Sequence, residues 1–387
     1  MKTWIIGAVA ALTLILGVRA QDGPGTNSET VARPRRKPAG DTTGSSNTGT
    51  LNPDAAPGEL PEIPSKLSPK ATRNEQGESD ANFKAETNIV NVDVQVLDNH
   101  GNPIPNIPRD KFRILEDNVP QTLTHYSVDE AAMTVAMVIE FSARYQAYYT
   151  SGWAQTLTAS YGFVQTLKPE DYVAIIAYDL RSTILSDFTN ERSKTMEALQ
   201  RLRIPGFSES NMFDALADTA DRMSKIEGRK AILLIASGID TFSKLTYASA
   251  RRSLQESGVP VYSIEMLQIQ RIQAEGQMDA LQQLDFLQGD NELKTFAKET
   301  GGQAFFPRFQ GELPGVFQSI SQSLRNQYAL GYSPNNQSRD GKFRKLTIQL
   351  VNPQTNEPLK ILDQKTGRPI KYTILARAGY TAPRTVE

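Results

Sequence analysis

The chain has 387 residues, 42 Lys+Arg against 43 Asp+Glu, two histidines and no cysteine. Without cysteine there are no disulfides, thiolate metal sites or cysteine nucleophile, so the fold has to be held by an ordinary core, which this length can supply. A formal net charge of −1, or −3 once residues 1–20 with Lys2 and Arg19 are set aside, argues against nucleic acid as the main partner.

The opening MKTWIIGAVAALTLILGVRA joins a positive Lys2, an apolar run from Trp4 to Val18 and a small-x-small signal at Val18-Arg19-Ala20. That order predicts a signal peptide over 1–20, hence secretion or a place in the periplasm or cell envelope. The run of about fifteen apolar residues is shorter than the roughly twenty of a bilayer span, so no span is expected after cleavage. Retention as an uncleaved anchor is the alternative. Residues 21–84 are rich in Gly, Pro, Ser, Thr and Asn and read as a disordered linker. RPRRK (Arg33 to Lys37) within it reads as a solvated basic patch with no assigned role.

From 85 to 130 the pattern is that of a small β module. Val90, Val92, Val94 and Val96 alternate with Asn91, Asp93 and Gln95, the period of a half-buried strand. Asp98 to Pro103 is a turn; it looks superficially like a calcium loop, but a hairpin turn explains each residue. KFRILEDNVPQTLTHYSV then supplies Phe112 and Ile114, a turn at Glu116 to Pro120, and a return strand with Leu123, His125 and Tyr126.

Residues 131–327 alternate buried strands with amphipathic helices, which predicts a mostly parallel, doubly wound, Rossmann-like α/β sheet. TVAMVIEF is the first strand, followed by a helix around Trp153 to Leu167. YVAIIAYD and STILSDF are too close for a crossover and should form an antiparallel hairpin at the sheet edge. Next come a helix around Glu191 to Leu202, a helix with Met212, Leu216, Ala220 and Met223, the strand KAILLIASG, a helix over Ala248 to Glu256 and the strand VPVYSIEM. Gln268 to Thr300 is largely helical by composition and ends at Gly301-Gly302, before the strand QAFFPRF and a last helix through Val316, Phe317, Ile320 and Leu324. Residues 328–387 return to β character in YALGYSP, KFRKLTIQLV, PLKILDQ and IKYTILARAGY. Neither β flank can bury a core alone, so the two are expected to pair into one small all-β module from which the α/β domain emerges as an insertion.

These pieces resemble the von Willebrand factor A-related proteins exported by soil bacteria. The resemblance runs from about Thr87 to Pro383 and rests on NVDVQVLDNHGNPI with DKFRILEDNVPQ, AMVIEFSARY, NMFDALAD, LLIASGID, ETGGQAFFP, YALGYSP and ILARAGYTAP taken together. It implies an adhesion-type binding domain whose site is an Asp-x-Ser-x-Ser loop with a Thr and an Asp from later loops around Mg²⁺. Carried onto this chain, the loop is Glu140-Phe141-Ser142-Ala143-Arg144, the Thr falls near Ser210 and the Asp falls on Ser237. Only Ser142 matches outright. Arg144 brings a fixed cation where a metal would sit, and Ser237 removes a carboxylate, so the expectation is a degenerate rim that binds no metal, with Arg144 paired to Glu140 in its place. A plain surface ion pair on an unused rim is the alternative. A shifted Mg²⁺ site using Asp240, with Asp179 and Glu209 on the same edge, is a further one.

The catalytic inventory is poor: His100 lies in a turn, His125 in a strand, and no GxSxG or HExxH string occurs. No enzyme activity and no cofactor are expected, with a carboxylate-based hydrolase as the distant alternative. Tyr145, Tyr148, Tyr149 and Trp153 follow the first loop and are candidate partner anchors, or else packing under the first helix. The expected partner is a protein or cell-surface component, the other reading being a structural envelope protein that binds through its β module.

Overall fold

The computed structural model describes residues 89–128, 131–143, 152–202, 207–268, 271–272, 275–362 and 367–384. The expected signal peptide, the linker and RPRRK lie outside them. In chain order the elements are β1 (Val90–Asp98), β2 (Phe112–Glu116), β3 (Val119–Gln121) and β4 (Leu123–Ser127). There follow β5 (Met133–Glu140), α1 (Gly152–Thr166), β6 (Tyr172–Tyr178), β7 (Ser182–Thr189), α2 (Arg192–Gln200) and α3 (Met212–Ser224). Then come β8 (Arg229–Ala236), α4 (Tyr247–Ser257), β9 (Val261–Glu265), α5 (Ala280–Thr300), β10 (Ala304–Phe305) and α6 (Leu313–Arg325). The last are β11 (Tyr328–Tyr332), β12 (Phe343–Leu350), β13 (Ile361–Leu362), β14 (Pro369–Ile370), β15 (Tyr372–Ala376) and β16 (Gly379–Thr381).

The central sheet has the order β10-β9-β8-β5-β6-β7 and is parallel except for β7, which runs antiparallel to β6 at the edge as the short connection requires. Both faces are covered. Met133, Val135, Met137 and Ile139 of β5 pack with α1, α2 and α6, while Ala136 and Val138 pack with α3, α4 and α5. A strand buried on both sides reads as a continuous apolar run, which is why TVAMVIE shows no alternation. The fold is therefore α/β and doubly wound. Among the described residues no helix is long and apolar enough to cross a membrane.

The strands before and after this unit interleave. One sheet has the order β15-β1-β11-β4 and a second β16-β12-β2-β3, so each mixes strands from both flanks. Val90, Val92, Val94 and Val96 line their shared core with Phe112, Ile114, Tyr328, Leu330 and Leu346. The outer face of β1 is not all solvent, however. Gln95, on the polar side of the sequence alternation, is buried and donates to the Tyr262 hydroxyl on β9, because that face of β1 packs on the α/β unit.

The stretch expected to be largely helical from Gln268 to Thr300 is helical but not continuous: Gln268, Arg271 and Ile272 are helical, Glu275–Gln277 is a 3-10 turn, and the long helix starts at Ala280, where Asp279 and Gln282 close a capping box. One expected element is shorter than the sequence suggests. The strand QAFFPRF pairs over Ala304–Phe305 alone, since Pro307 has no N–H to give a ladder.

Candidate functional site

β5 lies between β6 and β8, and the chain passes to one side of it for β6 and to the other for β8. The gap between the C-terminal ends of β5 and β8 is thus the topological switch point, where ligands of doubly wound folds are received. Glu140 ends β5 and Ser237 follows β8; register pairs Ile139 with Ile235, so the two residues arrive side by side.

The Glu140 carboxylate is buried and almost wholly engaged by the protein. One oxygen accepts the Ser237 backbone N–H at 2.7 Å and its hydroxyl at 2.8 Å; the other accepts the Ser142 hydroxyl at 3.1 Å. Burial raises its pKa above the ordinary value, opposed by Ser237, Ser142 and Ser210. Ser210 is itself fully buried: it favours the ionised carboxylate, although its hydroxyl forms no well-aligned hydrogen bond. The buried Asn211 side-chain oxygen next to it likewise has no partner.

Backbone bonds tie the three rim loops into one surface. Ala143 N–H donates to Phe207 carbonyl at 2.6 Å, and Thr241 and Phe242 N–H groups donate to Ser210 carbonyl at 2.8 and 3.0 Å. Asn211 N–H reaches Asp179 carbonyl at 2.9 Å. On this surface Phe207 and Phe242 stand 43 % and 56 % exposed. The sequence reading missed both; the available signal was a phenyl ring in a loop next to polar residues, Ser208 and Ser243.

The remaining sequence candidates divide. Asp240 is spent on the start of α3: its oxygens accept Phe213 N–H at 3.1 Å, the Ser243 hydroxyl at 2.6 Å and Ser243 N–H at 3.3 Å. This serves a helix whose N-cap residue, Asn211, makes no side-chain cap bond. Asp179 accepts Arg181 N–H at 3.2 Å, and Glu209 accepts the Ser208 hydroxyl at 3.3 Å. Arg144, Tyr145, Tyr148 and Tyr149 lie outside the described residues, as does the side chain of Trp153, whose backbone belongs to α1. The expected Arg144–Glu140 pair therefore lies outside them too. Among the described residues no group of three His, Cys, Asp or Glu side chains is placed to hold a metal ion.

A second buried acid stands on the same edge. Glu265 ends β9 in register with Ala236, so it flanks the end of β8 on the side away from Glu140. It accepts Leu267 N–H at 2.9 Å, its other oxygen is buried without a partner, and burial pushes its pKa up to about 8 against the pull of Arg271. An acid closing the apolar strand VPVYSIE is the same signal as Glu140 closing TVAMVIE.

No family model and no curated protein matches the chain. Solved structures do. It is similar to proximal thread matrix protein 1 from the mussel byssus, at 13% identity and a TM-score of 0.39, over 54% of this chain and 51% of that one. The chain thus spans about half the length of that byssus protein. It is also similar to the vWF domain of the type V pili tip protein Mfa5 from Porphyromonas gingivalis, at 14% identity and a TM-score of 0.40, over 51% of this chain and 96% of that one. The PilB minor pilin from Streptococcus sanguinis gives 10% identity and a TM-score of 0.36, over 51% of this chain and 62% of that one.

Proposed function

We propose that the chain is an exported binding protein, without catalytic activity, that holds a protein or cell-surface component on the C-terminal rim of its α/β sheet and does so without a divalent ion. The observation that carries this reading is the closure of Glu140 by Ser237 and Ser142 beneath a surface that exposes Phe207 and Phe242. A hard cation such as Mg²⁺ takes oxygen ligands at about 2.0–2.1 Å and favours several with formal charge. Here the donor set does not fit it: a single carboxylate already accepts three hydrogen bonds, and Ser237 stands where the von Willebrand factor A resemblance places an aspartate. Two exposed phenyl rings beside a desolvated polar floor are the composition of a protein-recognition patch.

The test is calorimetric titration of Mg²⁺, Mn²⁺ and Ca²⁺ into the full chain, with binding to bacterial envelope fractions measured alongside. No saturable heat, together with envelope binding lost in F207S/F242S, is the expected result. Saturable metal binding abolished by Glu140→Ala overturns it.

A second reading, binding through the β module, draws on a surface cavity of about 600 Å³ between its sheets and loops. Arg109, Phe112, Arg113, Gln121, Leu123 and Asn356 line it. In that case F207S/F242S binds as wild type and substitutions at Arg109 and Arg113 abolish binding.

A further inference from the structure

α5 has two apolar faces, and the fold uses one. Leu293, Phe296 and Ala297 are buried on the sheet side, in the core shared with α3, α4 and β8. Leu281, Leu284 and Leu287, in the first two turns, stand 73 %, 59 % and 58 % exposed. With about 100° per residue, Leu284 lies about 180° around the axis from Leu293, so the exposed row points away from the core. The geometry of the rim explains why this row stays exposed among the described residues. Gly289 packs on Gly238, just past the end of β8, with an added Cβ at Gly289 2.9 Å from the Gly238 carbonyl oxygen. The residues of α5 before Gly289 therefore project past the edge of the sheet.

The row lies in an acidic stretch of sequence. Between Ile272 and Leu293 there are Glu275, Asp279, Asp285, Asp290 and Glu292 and no Lys or Arg, with Asp290 and Glu292 buried. The flanking cations are already engaged: Arg271 donates to Asp290 at 2.9 Å and lies over the Phe286 ring, and Lys294 lies over the Phe306 ring. Asp279 and Asp285 remain exposed beside the leucines. A second copy of the chain would bring two acidic rims together. Three leucines over two turns also fall well short of the roughly 800 Å² per partner buried in a stable contact between folded domains.

From the outward leucine row and its acidic rim we infer that the start of α5 is a docking face for a cationic amphipathic segment of another protein. That segment packs apolar side chains spaced three and four apart on Leu281, Leu284 and Leu287 and sets Lys or Arg against Asp279 and Asp285. The inference is independent of the Phe207–Phe242 surface.

The probe is a fluorescent Leu/Lys peptide with helical amphipathic spacing, compared by anisotropy with a scrambled isomer of the same composition. Each is titrated with the full chain at about 0.15 M salt. The amphipathic peptide is expected to bind saturably and about tenfold or more tighter than its isomer. L281S/L284S/L287S should lose that difference with an unchanged melting temperature, F207S/F242S should keep it, and D279N/D285N should lower the salt dependence. Equal binding of the two peptides overturns the inference, as does undiminished binding by the triple serine variant. Wild-type sedimentation as a dimer that the triple variant abolishes assigns the face to a second copy. Wild-type binding to phosphatidylcholine/phosphatidylglycerol vesicles, lost in the triple variant, assigns it to lipid; either result also overturns the inference. If the triple variant does not fold, Leu284→Glu alone, which leaves the buried face untouched, provides the same comparison.

Discussion

Ser237 donates both its backbone N–H and its hydroxyl to one oxygen of Glu140, at 2.7 and 2.8 Å. A residue just past β8 thereby fixes the carboxylate that ends β5, and the two strands meet at the switch point through a side chain as well as a ladder. Glu140 is the hub of the rim, and its removal is not equivalent to its neutralisation.

Glu140→Ala leaves the Ser237 N–H buried without an acceptor and should cost about 1–3 kcal/mol. Glu140→Gln keeps an acceptor for Ser237 and can donate to Ser142. Burial raises the folded pKa of Glu140, so its contribution is complete below the ordinary carboxyl value and is lost as pH rises through the raised one. Thermal melts at neutral pH should therefore place Glu140→Gln at or above wild type and Glu140→Ala below it. A Gln variant as unstable as the Ala variant would show that the negative charge itself is needed, as a bound cation requires.

Glu265 should dominate the alkaline side of the stability profile. Its folded pKa of about 8 stands above the ordinary 4.5, so the folded state holds the proton more tightly throughout that window. Stability then falls as pH rises from the ordinary value through about 8, with a slope approaching 1.4 kcal/mol per pH unit at most, and levels off above. Glu265→Gln should flatten the profile while leaving the acid-side melting temperature unchanged. A flat wild-type profile across this range would contradict the assignment.

The α/β layering was legible because each central strand is a short apolar run between helical periods, and the β6–β7 hairpin because its connection is too short for a crossover. Glu140, Ser142, Ser210 and Ser237 come together because each follows or ends a strand or opens a helix at one sheet edge, and strand ends can be counted from the sequence. Gln95 could not be read this way: alternation says which side of β1 it is on, but not that a second domain surface covers that side. Phe207 and Phe242 were also hidden, since their importance lies in backbone bonds between loops far apart in sequence. Asp240 entered as an alternative ligand because a carboxylate near a strand end has that appearance, and its hydrogen bonds to Phe213 and Ser243 at the start of a helix could not be read from its position alone.

At the opposite edge of the sheet, Asp171 anchors β5 to α6. It is fully buried and accepts Met133 N–H at 3.0 Å, Lys168 N–H at 2.7 Å and the Arg325 guanidinium at 2.6 Å. Asp171→Ala strands a mostly buried cation and two N–H groups, and should destabilise the chain by about 3–5 kcal/mol. Arg325→Met in the Asp171→Ala background should recover part of that loss, because the uncompensated cation is gone. A chemical denaturation series on Asp171→Ala, Arg325→Met and the double variant measures the coupling; strictly additive effects would mean that the pair does not interact energetically.

Two glycines should respond in opposite directions to the same substitution. Gly302 follows α5 and lies against β9, where an added Cβ would stand 2.0 Å from the Val261 carbonyl oxygen and 2.6 Å from its carbon. Neither backbone can yield easily, since Val261 N–H is held by the Thr300 hydroxyl and Ser263 N–H by Gln303 carbonyl. Gly302→Ala should thus cost about 3 kcal/mol, the upper end of the overpacking range. Gly315, within α6, has nothing within 4 Å of its added Cβ, so Gly315→Ala replaces a poor helix former in open space. It should stabilise the chain by up to about 1 kcal/mol. Paired melts decide the matter: if both variants shift the same way, backbone contact at Gly302 is not what constrains that position.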